Sequence, residues 1–151
     1  MKRTQFGRWP CGIARTTDLM GDWWTPLIVR EAMYGSTRFE QFEEMLGLSR
    51  NILSQRLVRL VDAGIFDKRA YQQRPVRHEY RLTDKGRDAY NVLVAMAAWG
   101  ERWLVGPEGT PVLQHHTTCG HDMHAVVVCS ECRDTVDVRE IKVRPGPGGH
   151  A

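Results

Sequence analysis

No apolar run in this chain approaches the roughly 20 residues that a membrane-crossing helix needs. Its basic start, MKRTQFGRWPCGIAR, is followed by no apolar stretch of the kind a secretory leader carries. Together these absences set the expectation of a cytoplasmic protein. A glycine-rich phosphate loop and a Gly-x-Ser-x-Gly elbow are also missing. A zinc deaminase would show His-x-Glu and then Pro-Cys-x-x-Cys, but Val128 precedes Cys129 and no His-x-Glu comes before it. An enzyme is therefore not expected. Cysteine is scarce, with 4 among 151 residues. In a reducing compartment a Cys-x-x-Cys pair points to metal or redox chemistry ahead of a permanent disulfide.

What is present has the balance of a globular protein, 42% hydrophobic and 26% charged. The net charge is only +3, and it is unevenly spread. From Arg50 to Arg87 ten Lys and Arg stand against four acids, giving +6, while residues 1–49 balance at zero and residues 88–151 sum to −3. A basic stripe on a nearly neutral chain is the electrostatic footprint of a nucleic-acid reader, with a solvated charged face as the alternative.

Helical signals before and within this stripe come in short units. In WTPLIVREAMYG, Thr25 can cap, Pro26 fits the first turn and Gly35 the stop. TRFEQFEEMLG opens with a possible capping box, Thr37 and Glu40, ends on Gly47, and places Phe39, Phe42, Met45 and Leu46 on one face. LSRNILSQRLVRLVDAG follows, with Ser49 as N-cap, Gly64 as stop and a buried stripe of Ile52, Leu53, Leu57, Leu60 and Val61. Two short amphipathic helices around a tight glycine turn make a helix-turn-helix, whose second helix enters a major groove N-terminus first. The period then changes: IFDKRAY and VRHEYRLT read as two strands joined by QQRP, a basic wing with Gln72, Gln73 and Arg74 at its tip.

Thr83 is the expected cap of one long helix, DKGRDAYNVLVAMAAWGERWLV, apolar nearly all round from Tyr90 to Trp99. One face can pack on its own domain and the other asks for a partner, most simply a second copy in a homodimer. GPEGTP reads as a linker. Beyond it the runs HAVVVC and DTVDVREIKV look β-like, and RPGPGGHA looks disordered. The fold expected is α+β, a winged helix-turn-helix with a long dimerisation helix over residues 1–104. A small β-rich extension over 105–144, which a zinc ion would staple, and a disordered tail over 145–151 complete it.

The stretch from Cys11 to Gly86 and the Trp99-Gly100 pair resemble the HxlR-type winged helix-turn-helix transcriptional regulators. The resemblance rests on the cysteine opening the first helix, W-T-x-L-I, R-F-x-x-F, L-S-Q-R-L-x-x-L and E-Y-x-L-T-x-x-G, in that order, and covers roughly residues 10–104. It implies a dimeric bacterial DNA-binding regulator without catalytic activity, and it says little of the forty or so residues that follow.

For DNA, the Ser49 cap offers backbone N–H groups to a phosphate. Arg50, Asn51, Ser54 and Gln55 carry side chains suited to base edges, arginine to guanine and Asn or Gln to adenine. Arg59 is placed for the backbone, and Arg74 and Arg77 of the wing for phosphate or minor groove. Trp23, Trp24, Trp99 and Trp103 either pack in the core or line a pocket for a small-molecule effector.

Cys11 begins the first helix with Arg8 and Arg15 nearby, an environment that lowers a thiol pKa. The resemblance implies a sensor of oxidants or electrophiles at this place, whereas the usual fate of a lone cysteine is burial, which is the leading expectation. In the tail, His116-x-x-Cys119 and Cys129-x-x-Cys132 are two knuckle-like pairs that make a Cys3His set for structural zinc, with His115, His121 or His124 as substitutes for His116. Nine residues between the pairs are fewer than in most zinc ribbons, and a redox pair or inert packing are the alternatives. A metal would answer how so short an appendage stays folded. The reading is thus a DNA-binding regulator, with a zinc-ribbon interaction protein or a thiol-based redox sensor on the winged fold as the alternatives.

Overall fold

The computed structural model describes residues 6–148. The chain divides into two compact units between Tyr90 and Asn91. In the first, the order is α1 (Gly12–Met20), α2 (Thr25–Met33), α3 (Phe39–Leu46), α4 (Arg50–Asp62), β1 (Phe66–Gln73), β2 (Val76–Leu82) and α5 (Asp84–Asp88). α6 (Tyr90–Trp103) begins at the division, and the second unit adds β3 (Gln114–His116) and β4 (His121–Met123).

The core of the first unit is Ile28 and Val29 of α2, Phe42 of α3, Leu48 of the turn, Leu53, Leu57 and Leu60 of α4, then Ile65 and Phe66 at the start of the wing. Phe42 and Phe66 meet at 6.2 Å between ring centroids, joining the helices to the sheet. α4 buries the Leu53, Leu57 and Leu60 line, but Ile52 is exposed, and so is Met45 on α3. Each lies at the border of the apolar arc that the helical period defines.

Caps differ from the sequence expectation at two helices. α2 starts at Thr25, yet its amides are satisfied by Asp22, whose carboxylate accepts from the Trp24 and Thr25 N–H groups, both at 3.0 Å, and from the Thr25 hydroxyl at 2.6 Å. α3 is closed by Gln41, not Glu40: its side-chain oxygen accepts from the Thr37 and Arg38 N–H groups, both at 2.9 Å. At α4 the expectation holds, with Ser49 Oγ accepting from the Ile52 N–H at 3.4 Å. Gly47, at φ +62, makes the left-handed turn between α3 and α4 that a β-carbon would strain.

β1 and β2 pair antiparallel from Phe66↔Leu82 to Gln73↔Val76, with a register shift at Tyr71. A bridge between Arg38 and Glu79, and the Tyr80 N–H donating to the Thr37 carbonyl at 2.7 Å, tie the wing to the entrance of α3. The expected single helix after Thr83 is two pieces, parted at Ala89, whose backbone nevertheless stays right-handed (φ −59, ψ −15). Thr83 caps the first piece, accepting from the Gly86 N–H at 3.0 Å.

In the second unit α6 leaves Val92, Met96, Trp99 and Trp103 exposed. Val94, Ala97 and Ala98 line a cavity shared with Leu113, Gln114 and Met123. The β-like runs prove mostly irregular: the ordered pairing is β3 with β4 plus one Val128↔Thr135 bridge, and Val138–Glu140 is a 3-10 turn. Val126, Val127 and Val138 are 59%, 66% and 84% exposed, so the valine-rich composition has no second layer to bury it. The expected tail over 145–151 lies partly outside the described residues. Among the described residues no helix is long and apolar enough to cross a membrane.

Candidate nucleic-acid interface

The outer face of α4 follows from its inner one. With Leu53, Leu57 and Leu60 turned to the core, the 3.6-residue period leaves Arg50, Asn51, Ser54 and Gln55 exposed together. Gln55 Nε2 donates to Asn51 Oδ1 at 3.2 Å, an i,i+4 pair that holds both amides on one surface. Arg50 does not stand free: its guanidinium donates to Glu43 Oε2 at 2.8 Å and lies 4.8 Å from the centroid of the Phe39 ring. Both partners belong to α3, so Arg50 is pre-positioned at the front of α4.

Arg59, expected at the DNA backbone, is engaged inside the protein. It donates to the Asp18 carbonyl and lies 4.0 Å from Asp22. Arg56, counted in the basic stripe but given no role of its own there, lies 3.2 Å from Asp22 with its Nε buried and lacking hydrogen-bond geometry. Burial raises the Asp22 pKa, but the Thr25 hydroxyl, the Thr25 and Trp24 amides and Arg56 outweigh it and hold the carboxyl below its ordinary value. Asp22 thus anchors α4 to the start of α2. Its role is hidden in sequence because Arg56 and Arg59 lie more than thirty positions away. Trp23 and Trp24 border a cleft with Gly21, Asp22 and Arg56.

On the wing, many basic residues are matched locally: Arg69 by Asp67 at 3.0 Å and Arg81 by Glu79 at 2.7 Å. Arg81's hydrogen bond to Glu79 is the main cause of that carboxyl's lowered pKa. Arg74 and Arg77, at and beside the turn, are exposed. Arg38 stacks 4.6 Å over Tyr71, a cation–π contact with no sequence-local signal.

Cys11 is exposed at the N-cap of α1, which overturns the expectation of a buried thiol. Arg15 donates to the Trp9 carbonyl at 2.8 Å. In the tail, His116 Nδ1 lies 3.2 Å from Cys119 Sγ, and Cys129 and Cys132 stand at the same i, i+3 spacing on a second turn closed by the Arg133 N–H donating to the Cys129 carbonyl. Among the described residues no three His, Cys, Asp or Glu side chains gather as a metal centre requires, so the four candidate ligands stand as two separate pairs.

A family model described as HxlR-like helix-turn-helix matches residues 19–107, which span α2 to α6 and therefore the helix-turn-helix and wing. The chain belongs to this HxlR-like family. An uncharacterized HTH-type transcriptional regulator of Mycobacterium tuberculosis is 42% identical over 136 residues, covering 90% of this chain and 86% of that protein. The crystal structure of PA1607, a candidate transcription factor, superposes with a TM-score of 0.84 at 34% identity, covering 95% of this chain and all of that one. The redox regulator HypR in its reduced form matches at a TM-score of 0.57 and 28% identity over 61% of this chain and 92% of its own. The first two similarities extend past the HxlR-like region into the tail.

Proposed function

We propose that this HxlR-family transcriptional regulator acts as a homodimer on double-stranded DNA, without catalytic activity and in the cytoplasm. Each α4 enters a major groove by its N-terminus. Arg50, Asn51, Ser54 and Gln55 address base edges, the Ser49 cap and helix N-terminus address a phosphate, and Arg74 and Arg77 of the wing address the flanking backbone. Arg59 is assigned to holding α4 in place. The observation that carries the reading is the exposed polar group Arg50, Asn51, Ser54 and Gln55 opposite the buried leucine line of α4, on a helix that leads directly into the basic wing. α6, with its unburied Val92, Met96, Trp99 and Trp103 at 4-3-4 spacing, supplies the two-fold seam.

The test is fluorescence anisotropy of the full chain on duplexes from its own upstream region and on scrambled ones, across salt. Arg50→Ala is expected to cost about 1–3 kcal/mol on the specific duplex and to relax discrimination. Arg74→Ala is expected to weaken every duplex and to reduce the salt slope by about one. Equal losses on all duplexes with an unchanged slope would sink the assignment.

A second reading concerns an effector. Cys11 is exposed at a helix start, which suits an oxidant or electrophile sensor within the same regulator. Alkylation that leaves DNA affinity unchanged would remove it.

A further inference from the structure

The tail contains a structural recurrence that the DNA-facing surface does not use. β3 and β4 make a hairpin whose tip runs His116-Thr117-Thr118-Cys119-Gly120-His121, with His116 and His121 paired at its mouth. Positions 116, 119, 120 and 121 recur as 129, 132, 133 and 134, an offset of 13 throughout. The second tip, Cys129-Ser130-Glu131-Cys132-Arg133-Asp134, is closed by the Cys129 N–H donating to the Asp134 carbonyl at 2.9 Å, beside the Val128↔Thr135 bridge.

The two tips share their backbone as well as their spacing. The Gly120 N–H donates to the His116 carbonyl at 2.9 Å, and the Arg133 N–H to the Cys129 carbonyl at 3.0 Å. Gly120 sits at φ +72 and Arg133 at φ +66, the one non-glycine at positive φ among the described residues. An arginine adopts that conformation only where the surrounding turn requires it. This turn places donors of positions i and i+3 on one side. In the first tip they are His116 Nδ1 and Cys119 Sγ, 3.2 Å apart. In the second they are Cys129 and Cys132, with the Cys132 and Glu131 backbone N–H groups directed at the Cys129 sulfur.

The geometry also sets aside two of the three alternatives to His116, while His121, paired with His116 on the same face, stays next to it. His115 Nδ1 is held by Asp122 Oδ1 at 2.9 Å, and its neighbour position places it on the opposite face of the hairpin from His116. His124 lies beyond the hairpin. Among its described residues the unit has no buried hydrophobic side chain, its tail valines Val126, Val127 and Val138 are exposed, and a module of this size normally needs a staple.

We propose that one zinc ion draws the two tips together and is held tetrahedrally by His116, Cys119, Cys129 and Cys132 of a single chain. The three thiols give up their protons to solvent as they ligate, and the closed set leaves no position for water, so the ion is structural. The proposal is independent of the DNA reading, and either can fail alone.

The test uses the full chain, reduced and stripped of metal, titrated with Co(II) as the spectroscopic probe and then with Zn(II). Expected is saturation at one Co(II) per chain with the intense visible bands of a tetrahedral thiolate site, bleached by Zn(II). Cys11 alone then remains reactive toward a thiol reagent. Cys132→Ser and His116→Ala are expected to lose the stoichiometric site, Cys11→Ser and His115→Ala to keep it. His116→Cys retains four ligands and is expected to shift the Co(II) spectrum without loss of stoichiometry, which guards against variants that only misfold. No saturable binding, one ion per two chains, three thiols still reactive with Zn(II) present, or loss of the site in Cys11→Ser would each overturn it.

Discussion

Removing the Asp22 carboxylate would leave the Trp24 and Thr25 amides, the Thr25 hydroxyl and the buried Arg56 Nε without their anion. Asp22→Ala is expected to cost about 2 kcal/mol, the upper end for a lost helix cap, measured as a lower urea midpoint at neutral pH. Its pH dependence has a definite direction. Because the folded pKa is depressed, the contribution is fully present above the unfolded value of about 3.9, and is lost as pH falls through the still lower folded value. The gap between wild type and variant should therefore close in that acid range. At this scale the legible features were the local ones. Ser49 and Thr83 cap residues three positions on, and both were readable from spacing. Asp22 was not, because its cationic partners come from α4, and the burial of Cys11 was misjudged because exposure depends on what packs around a helix start.

Gly86 closes the E-Y-x-L-T-x-x-G stretch, and the structure supplies the reason at the level of elements. A β-carbon there would lie 2.2 Å from the Ile65 carbonyl oxygen and 2.9 Å from Leu82 Cδ2, so α5 can approach the base of the wing only through a glycine. The Thr83 hydroxyl reinforces the contact by donating to the Gly64 carbonyl at 2.6 Å. Gly86→Ala is expected to destabilise by at least about 1–3 kcal/mol, since the obstacle is backbone, and a thermal melt would show it. α2, α3, α4 and the wing were legible because each carries its own period and punctuation. The tail strands were not: a valine run signals a strand only when something covers it, and Val126 and Val127 are open to solvent. The one-helix reading after Thr83 missed the break at Ala89, where no proline or glycine marks it.

For the whole molecule, the exposed apolar line of α6 sets an expectation about assembly. Met96→Glu, at a 53% exposed position, is expected to leave the chain folded, convert a dimer to monomer in sedimentation velocity, and weaken DNA binding by removing one of two half-sites. A monomeric wild type would refute the seam. The Arg50–Glu43 pair has a further consequence for ions. An exposed cation such as Arg74 displaces condensed counterions when it meets a phosphate, so added salt opposes it directly. In the proposed complex Arg50 would instead exchange a carboxylate for a guanine, and the released Glu43 would gather cations from solution, so this step would gain little or nothing from dilute salt. Rising ionic strength should erode wing-driven, sequence-blind attachment faster than groove reading. Within the range where binding survives, a saltier medium would make this regulator weaker and more selective at once.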